Sequence, residues 1–184
     1  MVESEERRDF FRIEDTVTMQ LAPVIAGDSG EPKLPDVFLT LNQLRRLDSE
    51  NSQLLRLIQD KHRDVARYLS MQNEKFELLS QMLVKQLESS FSKYNVNISG
   101  SGLKLSLEQP AEIGSEWHLT ILLYPDCFGF YTKGKVSQCD QEPETGNYQI
   151  AFEFTELKQH DQDELVKHIT KMQSKQLRKE RLGD

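Results

Sequence analysis

The chain has 184 residues, with 23 Lys+Arg against 30 Asp+Glu, giving a formal net charge of −7. That length suits one ordinary domain, or a smaller domain carrying an insertion. An acidic chain argues against a general nucleic-acid binder, and the lack of a run of ~18 apolar residues excludes a transmembrane helix. The acidic start, Met1-Val2-Glu3-Ser4-Glu5-Glu6, is unlike a secretory signal, so a cytoplasmic protein with no membrane insertion is expected. Cys127 and Cys139 show no CxxC spacing and read as reduced thiols, with neither a disulfide framework nor a structural metal site.

In chain order, the acidic and basic opening leads to Thr16-Val17-Thr18-Met19-Gln20-Leu21, whose period-two alternation predicts a strand. Residues 22–35 hold Pro23, Gly27, Gly30 and Pro32 and read as a loop. From Val37 to Phe91 there is no Gly or Pro, and Leu, Gln, Lys, Arg and Glu dominate, as in a helix. Apolar positions recur every three or four residues through Leu44, Leu47, Asn51, Leu54 and Ile58. A second run passes through His62, Val65, Leu69, Gln72, Phe76, Leu79, Leu83 and Gln86. A heptad stripe sustained this long predicts a coiled coil, with a stutter at the step from Ile58 to His62 that locally unwinds it. Fifty helical residues would reach about 75 Å, too far for one small domain to cover, so self-association is expected. Asn51, Gln72 and Gln86 at seam positions would fix register, and His62 at another would make the assembly acid-sensitive.

From Tyr94 the alternation returns. Tyr94–Ile98, Leu103–Leu107, Trp117–Leu123, Phe128–Ser137 and Tyr148–Thr155 are predicted strands, an arrangement that suits an antiparallel barrel or sandwich. A helix is predicted from Asp161 to Leu182, with Leu165, Ile169 and Met172 on one stripe and Lys and Arg gathered toward its end. The layout is α+β: a β-barrel whose first strand is separated from the others by a helical insertion, closed by a C-terminal helix.

Enzyme signatures are missing from the sequence: no GxSxG, no GxxxxGK[ST] and no HExxH. The four histidines are scattered and Cys127 has no His near it in sequence, so no catalytic residues are expected. Two polar clusters remain. Arg7, Arg8 and Arg12, beside Phe10 and Phe11, can clamp a phosphate bidentately and bind the O6/N7 edge of a guanine. The same residues also read as a solvated arm pairing with Glu3, Glu5 and Glu6. Asn97-Ile98-Ser99-Gly100-Ser101-Gly102 places an amide and a hydroxyl two apart on one strand face, before glycines that allow a tight turn. This stretch also reads as a plain hairpin corner.

RRxxxR followed by [D/N]xSxxG resembles the PilZ domain, the bacterial receptor module for the second messenger cyclic di-GMP. Glu6–Ile13 is similar to that family's opening, Asn97–Leu103 to its second motif, Ile113–Trp117 to its turn into the third strand, and Gln149–Phe154 to its closing strand. Ser101 stands where the family usually has a second Gly, and Ala151 where a Gly is common. The resemblance implies a PilZ-type barrel divided into three parts. Residues 1–36 form a ligand arm and first strand, 37–92 inserted heptad helices for oligomerisation, a long coiled-coil segment, and 93–184 the rest of the barrel and the C-terminal helix. It further implies that Arg8 and Arg12 grip phosphate and guanine, Asn97 and Ser99 contact a guanine edge, and Gly102 permits the turn. Arg7 before RxxxR implies two stacked ligands per protomer. The insertion is similar to that of a tetramer-forming branch, implying a homotetramer that signals to a downstream protein. Neither cofactor nor metal is implied. The alternative is a PilZ-like oligomeric scaffold that binds no nucleotide, or, in another class, an enzyme using Cys127.

Overall fold

Alternating strands of this kind bury every second residue, and six of them close on themselves here. The computed structural model describes residues 11–25, 32–85, 87 and 91–182, with the side chains of Ser49 and residues 179–182 outside that description. The strands are β1 (Ile13–Pro23), β2 (Ser92–Ser99), β3 (Gly102–Leu107), β4 (Glu116–Leu123), β5 (Phe128–Gln141) and β6 (Tyr148–Phe154). They form a closed antiparallel barrel in the order β1-β2-β3-β6-β5-β4. β1 is long enough to pair with β2 through Ile13–Met19 and with β4 through Thr18–Pro23, so it closes the barrel. β5 runs beyond the predicted Ser137 because an irregularity between Val136 and Gln138 re-phases it against β6 without ending it.

The barrel core is Ile13, Val17, Met19, Val96, Ile98, Leu103, Leu105, Leu119, Ile121, Leu123, Phe130, Val136, Ile150 and Phe152, each nearly or fully buried. One end is closed by α3 (Gln159–Leu182), which adds Leu165 and Ile169 to the same core with Met172 at its margin. These are the stripe residues predicted for this helix, and the 3.6-residue period puts them on one face. Gln162 Nε2 donates to the Gly100 carbonyl at 3.2 Å, tying the start of α3 to the β2–β3 turn.

The insertion departs from the long continuous coiled coil. It is a helical hairpin of α1 (Asp36–Lys61) and α2 (Arg63–Val84), in which the first turns of α1 and the last of α2 meet. The reversal is at His62 (φ −141°, ψ 78°), whose amide donates to Ile58 and whose carbonyl accepts from Ala66. The step from Ile58 to His62 therefore marks a change of direction, not a local unwinding. His62 occupies the exposed tip of the hairpin, not a seam position. The arms are ~39 Å and ~33 Å long at 1.5 Å per residue, about half the predicted reach.

A second small core anchors the base of the hairpin on the outside of the barrel. Phe38, Leu41, Val84, Leu87, Phe91, Leu122 and Cys127 are all buried there, with the Phe38 and Phe91 rings stacked at 6.2 Å. Gly129 lets this happen: a Cβ there would lie 2.5 Å from the Phe38 ring. The Gly129 amide donates to Asn42 Oδ1 at 3.0 Å, fastening α1 to the start of β5.

Candidate ligand-binding site

The register of β1 on β2 brings two distant sequence motifs together. Glu14 pairs with Asn97, Asn97 with Lys104 of β3, and Lys104 with Ala151 of β6. Directly paired residues share a sheet face, so Glu14, Asn97, Lys104 and Ala151 form one row across the outer wall of four strands. Arg12, just before β1, reaches into this row: its Nη1 donates to Asn97 Oδ1 at 3.2 Å. Asn97 Nδ2 in turn donates to Glu14 Oε1 at 2.6 Å. The result is a donor–amide–acceptor chain, Arg12–Asn97–Glu14, on an open face.

Ser99 and Gly102 face each other across the β2–β3 turn. The Ser99 hydroxyl is buried and donates to the Gly102 carbonyl at 3.2 Å, while the Ser101 amide donates to Ser99 Oγ at 3.4 Å. In this state Ser99 therefore braces the turn. Gly102 is there because β3 and β6 run close together: a Cβ would sit 2.3 Å from the Phe152 carbonyl oxygen. That distance is far inside van der Waals contact and involves backbone, which cannot swing aside.

Of the predicted ligand residues, Arg12 and Asn97 are in direct contact, and Ser99 and Gly102 pair one row beyond Asn97, at the turn between β2 and β3. Arg7 and Arg8 lie outside the described residues, as does Gln86 of the expected seam. Glu14 and Lys104 belong to the row and were not predicted. Glu14 is two residues from Arg12 on an extended strand, so period-two alternation was the signal that could have found it.

A second charged cluster lies where β1, the β4–β5 turn, α3 and α1 converge. His168 of α3 is buried, its Nε2 2.8 Å from Asp15 Oδ2 and its Nδ1 4.0 Å from Asp126 Oδ2. Asp126 also takes Lys171 Nζ at 2.5 Å and Arg45 Nη2, from α1, at 3.8 Å. Burial pulls the His168 pKa down, but the Asp126 and Asp15 carboxylates outweigh it, and the net shift is upward. The pairing with His168 holds Asp126 well below the ordinary carboxylate range despite its burial. Cys127 next to it is pushed up to about 11, by burial and then by the Glu77 and Asp126 charges. Its sulfur is a protonated, covered thiol, which removes the support for a Cys127 nucleophile.

The chain is thus a closed antiparallel β-barrel capped by a C-terminal helix, with the Arg12–Asn97 contact on its outer wall. The PilZ domain family matches residues 63–171, more than half of the chain, and the chain belongs to that family. β1 lies outside the matched segment, because the hairpin separates it from the other five strands. Among solved structures, a tetrameric PilZ domain protein of Xanthomonas campestris, self-assembled via an unusual helical bundle, aligns with a TM-score of 0.60. Identity is 13%, over 92% of this chain and 91% of that one. The Bacillus subtilis inhibitor of motility aligns with a TM-score of 0.50 and 12% identity, over 94% of this chain and 54% of that one. The PilZ domain of Escherichia coli YcgR, solved with c-di-GMP, aligns at 0.45 and 10% identity, over 97% of this chain and 99% of that one. At these identities the likeness is one of fold. No curated protein sequence matches the chain. Among the described residues, no helix is long and apolar enough to cross a membrane.

Proposed function

We propose that this protein is a cytoplasmic cyclic di-GMP receptor without catalysis of its own, built on an oligomeric helical scaffold. The observation that carries the reading is the Arg12–Asn97 contact at 3.2 Å, which joins the two halves of the PilZ motif across 85 residues of sequence. Arg12 grips a guanine or phosphate, Asn97 meets a base edge, and Gly102 keeps the adjoining wall close. Arg7 and Arg8 precede this point in the chain and close over the ligand, ordering the arm and creating a new surface for a downstream protein. With Arg7 ahead of Arg8, two stacked ligands per protomer are expected.

The scaffold is the hairpin. On α2 the covered residues mix small or polar ones (Ala66, Ser70, Asn73, Ser80) with Leu69, Leu83 and Val84, while Val65, Tyr68, Met71, Phe76, Leu78, Leu79 and Met82 are half or more exposed. On α1, Leu39, Leu47, Leu54 and Leu57 are likewise exposed. Covering a half-exposed Leu, Phe or Met gains ~1 kcal/mol. Eleven of them offer on the order of 10 kcal/mol per protomer, comparable with the cost of association. Copies of this hairpin therefore cover one another, and a homotetramer, the state of the Xanthomonas structure, is proposed.

Isothermal titration of cyclic di-GMP into the full chain, with Arg8→Ala and Arg12→Ala beside it, tests the receptor. Micromolar or tighter binding at two per protomer, lost in both variants, is expected. No binding would leave a ligand-independent scaffold. Sedimentation equilibrium of Phe76→Glu/Leu79→Glu should give monomers where the parent gives tetramers, and a parent already monomeric would refute the assembly.

A further inference from the structure

Asn97 does not stand alone in the row: its amide is held from both sides, and the side away from Arg12 is a carboxylate. Glu14 Oε1 accepts from Asn97 Nδ2 at 2.6 Å, which fixes the amide with its oxygen toward Arg12 Nη1. Glu14 is exposed, its second carboxylate oxygen has no partner among the described residues, and its backbone carbonyl accepts from Gln176 Nε2 of α3 at 3.3 Å. Residue and backbone are therefore both placed.

A carboxylate at this spot is hostile to a phosphate, so the phosphate of an arriving nucleotide belongs at the arginine end. What a carboxylate does accept is a pair of adjacent N–H donors. Guanine offers such a pair, N1–H and the N2 amino group on one edge, with O6 and N7 acceptors beyond them. Adenine presents a ring-nitrogen acceptor where guanine has N1–H. Arginine donors at O6/N7 and a carboxylate at N1–H/N2–H match guanine in order along its rim, and Arg12 and Glu14 stand at opposite ends of the Asn97 amide in that order.

We infer that Glu14 is the guanine-selecting residue of this site, accepting N1–H and N2–H of a bound guanine while Asn97 spaces it from Arg12. The inference rests on the cyclic di-GMP reading and adds to it a residue outside both motifs. Selection works by exclusion as much as by attraction: an adenine would set the Glu14 carboxylate against a ring-nitrogen acceptor.

The test compares cyclic di-GMP with cyclic di-AMP on the full-length protein, in the parent, Glu14→Gln and Glu14→Ala. Glu14 is exposed, and equal melting temperatures check that each variant is folded. The parent should prefer cyclic di-GMP. Both variants should lose about 10- to 100-fold in cyclic di-GMP affinity, the range for one good two-point base contact, while cyclic di-AMP binding holds or improves. Unchanged or tighter cyclic di-GMP binding in Glu14→Ala would overturn the inference and leave the receptor reading intact. An equal loss for both ligands would also overturn it, since that is general damage and not selection. A parent that binds neither dinucleotide would refute the receptor reading together with this one.

Discussion

Asp126→Asn removes a carboxylate that faces three cationic partners from two helices, α3 and α1, while keeping its shape. In the parent, Asp126 is paired with buried His168, with Lys171 at 2.5 Å and with Arg45 at 3.8 Å. Lys171 and Arg45 are 48% and 33% exposed, so water screens them and their contribution is discounted. His168, at 2% exposure, is the costly partner. Breaking a buried pair by removing one member costs ~3–5 kcal/mol. His168 keeps Asp15, so a loss of about 2–3 kcal/mol at pH 7 is expected. The pH dependence has a defined sign. The folded His168 pKa is raised, so its contribution is complete below its unfolded value near 6.5 and fades as pH rises through the folded value. The folded Asp126 pKa is lowered, so its contribution is complete above about 4 and fades as pH falls through the folded value. Urea unfolding at one fixed protomer concentration, from pH 4 to 9, should therefore show a parent stability plateau near pH 4–6.5 that declines on the alkaline side. In Asp126→Asn the alkaline decline should begin at lower pH. A loss below ~1 kcal/mol at pH 7, or an alkaline limb identical to the parent's, would refute a charged His168 held between two carboxylates.

Gly102→Ala should be among the most damaging single-methyl changes in the chain, because the new Cβ meets the Phe152 carbonyl and β6 must shift. A loss of ~2–3 kcal/mol in chemical denaturation is expected, with cyclic di-GMP binding reduced as well. Asn42→Ala strips the Gly129 amide of its acceptor where α1 meets β5. It should cost ~1–2 kcal/mol, and hydrogen exchange should rise at Gly129 and the first turns of α1 while β2 and β3 stay protected. Uniform exchange across the barrel would show that the hairpin base is not separately anchored.

Each strand of the barrel was legible in the sequence because burial of one face imposes period two, and Val96/Ile98, Leu103/Leu105 and Leu119/Ile121/Leu123 state that period plainly. The reversal at His62 was not, because Lys61-His62-Arg63 holds neither Gly nor Pro and hydrogen bonding continues on both sides of the break. The phase change in the apolar stripe at that point was the available signal, and it fits an unwound coiled coil as well as a hairpin. Arg12, Asn97, Ser99 and Gly102 were legible as parts of local motifs. Period-two alternation could place Glu14 on the face of Arg12, but the position of Glu14 and Lys104 on either side of Asn97 comes from strand register, a tertiary property. The Asp15–His168–Asp126 cluster draws on three separate segments, none of which stands out by itself.

The hairpin between β1 and β2 also bears on how the barrel closes. β2 to β6 follow one another closely, so most of their pairing is local, whereas β1 must return across the whole insertion to sit between β2 and β4. Closing so long a loop from a disordered chain has an entropic cost. Once α1 and α2 have paired, Phe38 and Phe91 are already neighbours, and the connection left to close is the stretch between Pro23 and Phe38, since β2 begins at Ser92. The helices thus act as a clasp that shortens the effective loop before the last strand docks. Melting them would first loosen β1, leaving β2 and β4 as two bare edges open to other chains, and would carry Arg12 away with it.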